Sequence, residues 1–109
     1  MQSDYAKQGK TAAIVSYITI IGTIIAFFMN QENKNQFASF HIRQALGTWI
    51  SFYLLIALAN IFNSLMIHIA FYIFCIVLIV FGLILAIREE QKTVPILGPY
   101  FQEWFSFIK

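Results

Sequence analysis

The longest hydrophobic stretch of the chain covers residues 44–87, which contain no Asp, Glu, Lys or Arg and are bounded by an arginine on each side. A lipid core roughly 30 Å thick is crossed by about 20 apolar residues, so this stretch is long enough to cross twice. Its polar residues cluster at 60–64. The pattern predicts two transmembrane helices, about 46–62 and 65–87, which a tight turn makes antiparallel neighbours.

A second hydrophobic run, at 11–29, follows a short polar head that contains Lys7 and Lys10. A basic head before an apolar run is also typical of a secretory signal. This run is longer than the usual signal core, however, and it ends in bulky Phe and Met residues rather than in a small-residue cleavage site. We therefore expect a retained first transmembrane helix, followed by a solvated Asn-rich loop at 30–35.

The segments that flank the hairpin predict two interfacial helices. Residues 36–45 read as a helical lead-in to the second span. Two prolines and a glycine within 94–99 break the helix after the third span, and Pro99 suits the first position of a new one. Residues 99–108 then predict an amphipathic helix lying flat on the membrane. Its apolar face comprises Tyr100, Phe101, Trp104, Phe105 and Ile108.

The predicted fold class is an all-α integral membrane protein, with three transmembrane helices and two interfacial helices in a single domain over 1–109. Composition supports this class, because 60% of the residues are hydrophobic and 11% are charged, against roughly 25% charged in soluble domains. A chain of 109 residues has no interior large enough to bury so much apolar surface.

Enzyme activity, a cofactor, a metal and a nucleic-acid partner are not expected from this sequence. The net charge of +2 comes without a Lys/Arg cluster. Cys75 stands alone in an apolar run, and His41 and His68 do not have metal-ligand spacing. A proton relay through His68 would need a carboxylate, and the predicted spans contain none.

Charge distribution predicts the orientation of the three spans. The head carries two Lys/Arg residues, whereas the first loop, the lead-in and the tail together carry five. By the positive-inside rule, the first loop and the C-terminus face the cytoplasm. We therefore expect a multi-pass membrane protein.

Each predicted span also contains a pair of small residues four apart, a spacing that lets helix backbones approach closely. Such pairs also arise by chance in membrane helices, so both interpretations stay open. The pairs are Gly22/Ala26, Gly47/Ser51 and Gly82/Ala86.

Two short motifs carry a family resemblance: Phe40-His41-x-Arg43-Gln44 before the second span, and Val94-Pro-Ile-Leu-Gly98 after the third. With them, the chain resembles a family of small bacterial membrane proteins of unassigned function. That family is similar to the twenty-kilodalton inner-envelope subunit of the chloroplast protein-import (Tic) machinery. The resemblance implies a cytoplasmic-membrane protein related to translocation machinery. The plant protein is usually described with four spans, whereas this sequence predicts three.

The leading functional hypothesis is a non-catalytic accessory or scaffold subunit of a larger membrane complex, linked through the resemblance to protein translocation or insertion. The alternative is a homo-oligomeric small pore or transporter, with Asn60, Asn63, Ser64 and His68 near its mouth. Expected partners are membrane lipids and other integral membrane subunits; a hetero-complex is favoured over a homo-oligomer.

The candidate contacts to a partner or to lipid combine the two motifs with the aromatic tail. Arg43 suits a lipid phosphate or a partner carboxylate, because its guanidinium can bind either with two hydrogen bonds. The competing interpretation is that Arg43 marks the membrane boundary and the motif pins the loop against the tail. The candidate residues are Phe40, His41, Arg43, Gln44, Pro95, Gly98, Tyr100, Trp104 and Phe105.

Overall fold

The computed structural model describes residues 2–32, 34–94 and 96–108, with side chains from Gln8 onward. The regular secondary structure of this part of the chain is all α-helical. Two of its helices, α3 and α4, are long and apolar enough to cross a membrane. The five helices are α1 (Gln2–Ser16), α2 (Ile20–Met29), α3 (Gln36–Phe62), α4 (Leu65–Ile87) and α5 (Gly98–Trp104).

The predicted hairpin between the two long helices is confirmed. At the end of α3, Asn63 adopts the left-handed conformation (φ 50°, ψ 42°), which Asn tolerates better than most residues. Ser64 then caps α4 by accepting a hydrogen bond from the Ile67 N–H. The His68 ring lies 2.8 Å from the Ser64 carbonyl oxygen and 2.9 Å from Asn60 Oδ1. The polar cluster of this region therefore builds the turn itself.

The prediction of one continuous helix over 11–29 is wrong, because α1 ends at Ser16 and α2 begins at Ile20. Thr19 is extended (φ −154°, ψ 172°), and its hydroxyl accepts a hydrogen bond from the Gly22 N–H at 3.0 Å. The Thr23 hydroxyl donates to the Ser16 carbonyl at 2.7 Å, which satisfies the end of α1. At about 1.5 Å per residue, α2 is about 15 Å long and covers half a lipid core.

Close approach occurs at the glycine of each small-residue pair. In α2, Gly22 packs against the Val15 carbonyl, so a side chain there would collide with α1. The other two glycines instead receive aromatic rings of the same chain: Phe101 lies against Gly47, and Tyr17 lies against Gly82. The small residues thus serve packing within this chain.

Helices α1, α2 and α5 pack around one end of the α3–α4 hairpin, which we call the base. Tyr17, Phe37, Ala45 and Ala86 form one buried cluster there, with Trp49 packed against it. The far half of the hairpin has no such cover and exposes large apolar side chains. Examples are Leu54, Ile61, Phe62, Leu65 and Met66, each more than half exposed.

The two predicted interfacial helices have different outcomes. The lead-in 36–45 is helical and continuous with α3, as expected. The tail helix is shorter than predicted, because α5 ends at Trp104 and turns follow. Its aromatic face is divided between two environments: Phe101 and Ile108 are buried, whereas Tyr100 and Trp104 are more than half exposed.

Candidate functional site: a polar latch at the base

His41, on the first turns of α3, is completely buried and bound on both ring nitrogens. Its Nε2 lies 2.8 Å from the Glu90 carbonyl oxygen, beyond the end of α4, and its Nδ1 lies 2.7 Å from the Tyr17 hydroxyl. Since a carbonyl only accepts, Nε2 carries the proton and Nδ1 accepts from Tyr17. The neutral ring therefore satisfies both bonds.

Gln44, one turn further along α3, is also completely buried and uses both ends of its amide. Its Nε2 donates to the Tyr17 hydroxyl at 2.8 Å and to the Lys92 carbonyl at 3.4 Å. Its Oε1 accepts the Val94 N–H at 2.7 Å. Gln44 thus fixes the segment after α4, which has no helix of its own to satisfy its backbone.

Tyr17 joins the two side chains, because its hydroxyl accepts from Gln44 and donates to His41. Burial raises the pKa of the Tyr17 phenol above its ordinary value of 10.0, and the hydrogen bond from Gln44 opposes that rise only in part. The hydroxyl therefore keeps the proton that it donates. We call Tyr17, His41 and Gln44, with the backbone of 90–94, the polar latch.

A second set of polar contacts holds the tail against α3. Arg43 Nε donates to Gln102 Oε1 at 2.7 Å, and Arg43 Nη1 donates to the Ile108 carbonyl at 2.6 Å. Gln102 Nε2 in turn donates to the Phe40 carbonyl at 2.9 Å. These contacts connect residues about sixty positions apart in the sequence. They agree with the interpretation that the motif pins a loop and the tail.

The loop between α2 and α3 is held by a third set. Asn30 Nδ2 donates to the Ser39 hydroxyl at 2.8 Å, and Asn30 Oδ1 accepts the Asn35 N–H at 2.9 Å. Asn35 caps α3 by accepting the Ala38 N–H at 3.0 Å. The Asn-rich loop is therefore structured by its own amides and by the N-terminal end of α3.

The structure places the predicted site residues in three environments. His41 and Gln44 are in the latch, and Arg43 and the Phe40 carbonyl hold the tail. Gly98 is buried at the start of α5, and Phe105 is half-buried. Tyr100 and Trp104 point outward with their ring centroids 5.5 Å apart. Pro95 lies outside the described residues.

Sequence reasoning missed Tyr17 and the backbone partners of the latch. The available signal for Tyr17 was its position between Ser16 and Thr19, which places three hydrogen-bonding side chains within four positions of a largely apolar run. Among the described residues, no three His, Cys, Asp or Glu side chains are placed to hold a metal ion. The latch side chains bind one another and the backbone, so this arrangement stabilises the fold.

These features define the class: a small, all-helical, membrane-associated protein with an apolar hairpin and a polar base. The chain belongs to the magnetosome magnetite crystal formation protein family (MamF/MmsF), whose family model matches residues 8–101. That match includes the latch, the hairpin and the start of α5. Neither a curated protein nor a solved structure gives a significant match to the chain.

The family match corrects two predictions. The resemblance to the chloroplast import subunit is wrong, because the matching family is one of magnetite crystal formation. The inferred role in protein translocation or insertion is therefore also wrong. Nothing in the structure or the family supports the alternative of a pore or transporter. The shared hydropathy and the short motifs were not specific enough to separate the two families.

Proposed function

We propose that this chain takes part in magnetite crystal formation as a non-catalytic protein inserted in the magnetosome membrane. The observation that carries the proposal is the family match over residues 8–101, which includes α2, α3 and α4 in full and parts of α1 and α5. The polar side chains of the latch are occupied in structural hydrogen bonds, which favours a structural role over catalysis.

We propose a two-span topology, in which α3 and α4 cross the membrane and α1–α2 returns to the side from which it entered. Tyr17, at the α1–α2 turn, packs against Gly82, which is six residues before Arg88. At about 1.5 Å per residue that is a depth of about 9 Å. The α1–α2 pair then lies beside the base and inserts only part of the way into the lipid.

In this topology all seven Lys and Arg residues of the sequence lie on the base side, because none occurs within 11–29 or 44–87. The positive-inside rule then directs the base, including the N-terminus, to the cytoplasm. The exposed apolar side chains of the hairpin face lipid and neighbouring membrane proteins. Tyr100 and Trp104 suit the headgroup level, where amphipathic aromatic rings accumulate.

The functional test is complementation in a magnetite-forming bacterium that lacks its own members of this family. Expression of the wild-type chain is expected to restore crystal size, measured as the length distribution in electron micrographs. The latch variant Gln44→Leu is expected to restore less, and the exposed-site control Tyr53→Phe as much as the wild type, at equal protein level on immunoblots. Crystals that stay defective although the wild-type chain is present in the membrane would contradict the proposal.

The topology test expresses the chain in the cytoplasmic membrane of a heterologous bacterial host and labels single cysteines in spheroplasts with a membrane-impermeant maleimide, in a Cys75→Ala background. With two spans, Gln8→Cys and Glu32→Cys are both protected until the membrane is permeabilised, whereas Met66→Cys beside the turn is labelled at once. With three spans, Gln8→Cys would be labelled together with Met66→Cys. The Gln8 position therefore distinguishes the two topologies.

A further inference from the structure

A polar cavity of about 530 Å³ opens at the base, between the N-terminal part of α3 and the segment after α4. Residues 36, 39 and 43 are three and four positions apart, so their side chains lie along one face of α3. Two of the lining side chains are cationic and none is acidic. The lining residues are Lys34, Gln36, Ser39, Arg43 and Gln91.

Arg43 gives this cavity a fixed positive charge. Two of its five N–H donors are used, at Gln102 and at the Ile108 carbonyl, which orients the guanidinium and leaves the other donors available. The ion pairs found among residues 2–32, 34–94 and 96–108 are those of Glu90 with Arg88 and Lys92. Both of these partners of Arg43 are neutral, and its side chain is half-buried.

Ser39 adds a hydrogen-bond donor to the same wall. Its hydroxyl oxygen accepts from Asn30 at 2.8 Å, so its own proton is not used in that hydrogen bond, and Ser39 lines the cavity. A cavity with two cations, a hydroxyl and two amides is complementary to a phosphate group, which accepts several hydrogen bonds and carries negative charge.

An apolar groove lies next along α3, where residues 42 and 46 line the groove and residues 39 and 43 line the cavity. Its volume is about 210 Å³, and its walls come from α2, from α3 and from the last residues of the tail. The two spaces are close at Arg43, which lines the cavity and donates to the carbonyl of Ile108, a residue that lines the groove. The groove walls include Ile24, Phe27, Ile42, Leu46, Phe107 and Ile108.

We propose that the cavity binds a phosphate group, and that the adjoining groove receives an acyl chain when this phosphate belongs to an anionic phospholipid. The polar cavity precedes the charge-free stretch of α3, and the groove extends into it through Leu46. A phospholipid at the membrane surface presents its phosphate and its chain in this order. The site stands independently of the role in magnetite formation.

The test measures binding to the full chain, purified in a neutral detergent, by the rise in its unfolding temperature with added ligand. The probes are dioleoylphosphatidylglycerol, dioleoylphosphatidylcholine and sodium phosphate, with sodium chloride at matched ionic strength. Phosphatidylglycerol is expected to stabilise the chain most. A response to sodium phosphate as strong as that to phosphatidylglycerol would assign the cavity to a soluble phosphate and remove the acyl-chain part of the proposal.

Variants of the lining residues test whether phosphatidylglycerol binds in the cavity. Lys34→Gln and Gln91→Glu are expected to weaken phosphatidylglycerol binding about tenfold or more, because a charge-assisted hydrogen bond of about 1.5–3 kcal/mol is lost or repulsion is added. The matched controls Lys92→Gln and Gln31→Glu change the same charges at the base but outside the cavity. Equal losses in variants and controls, or no stabilisation by any phosphate probe, would overturn the site.

Discussion

Removal of the Gln44 amide tests the polar latch at the point where its contacts converge. In Gln44→Leu the buried volume is nearly kept, but the Val94 N–H loses its acceptor and the Tyr17 hydroxyl loses a donor. A buried donor without a partner costs about 1–3 kcal/mol, and a lost neutral hydrogen bond costs about 0.5–1.5 kcal/mol. We expect the free energy of unfolding to fall by about 2–4 kcal/mol, a large part of the typical 5–15 kcal/mol.

The assay is unfolding of the detergent-solubilised chain by SDS, followed by circular dichroism. Tyr17→Phe removes the hydroxyl and keeps the ring against Gly82, so the two changes form a double-mutant cycle. We expect a coupling free energy of about 0.5–3 kcal/mol between Tyr17 and Gln44, as for residues in one hydrogen-bond network. Tyr53→Phe, at a side chain that is 52% exposed, is the control for loss of a tyrosine hydroxyl.

Two results would refute this reasoning. If Gln44→Leu unfolds at the same SDS fraction as the wild type, the latch contributes nothing measurable to stability. If the effects of Tyr17→Phe and Gln44→Leu add within about 0.3–0.5 kcal/mol, the two side chains act independently and the network is not cooperative.

Two further predictions concern the packing at the base. Gly82→Val places a side chain where the Tyr17 ring lies, and overpacking of this kind costs about 1–3 kcal/mol in the SDS assay; Ala70→Val, at an exposed position of α4, should change little. Arg43→Gln should release the tail and speed its cleavage in limited proteolysis severalfold, whereas Arg88→Gln at the same end should not. Unchanged cleavage of the Arg43 variant would show that the other contacts of the tail, which include the Gln102–Phe40 hydrogen bond, are sufficient to hold it.

The hairpin could be predicted from the sequence because its determinants are local. A stretch without charges that is twice the length of a span, with Asn and Ser in the middle, has few alternatives to two helices and a turn. The predicted helix ends at residues 62, 65 and 87 agree with the structure. The break at Thr19 was missed because hydropathy alone does not show where a hydroxyl replaces a backbone acceptor.

Only part of the candidate site could be predicted from the sequence, because many of its contacts involve the backbone. The polar residues before the second span were recognisable as unusual, but apart from Tyr17 the partners of His41 and Gln44 in the latch are backbone groups of residues 90–94. Nearly every residue has a backbone carbonyl and an N–H group, so the residue types do not show which of these groups will bind a side chain. The division of the tail's aromatic face was likewise hidden, because it depends on Gly47 leaving space for the Phe101 ring.

The latch has a consequence for the order in which the chain matures. Its donors and acceptors come from residues 17, 41 and 44, and from residues 90–94, which are synthesised about fifty residues later than His41 and Gln44. The α3–α4 hairpin needs only neighbouring contacts and can form first, whereas the latch closes a loop of about fifty residues. A chain truncated before residue 90 would insert its hairpin with His41 and Gln44 lacking their later partners. Completion of the base therefore requires that synthesis has passed α4 and reached residues 90–94.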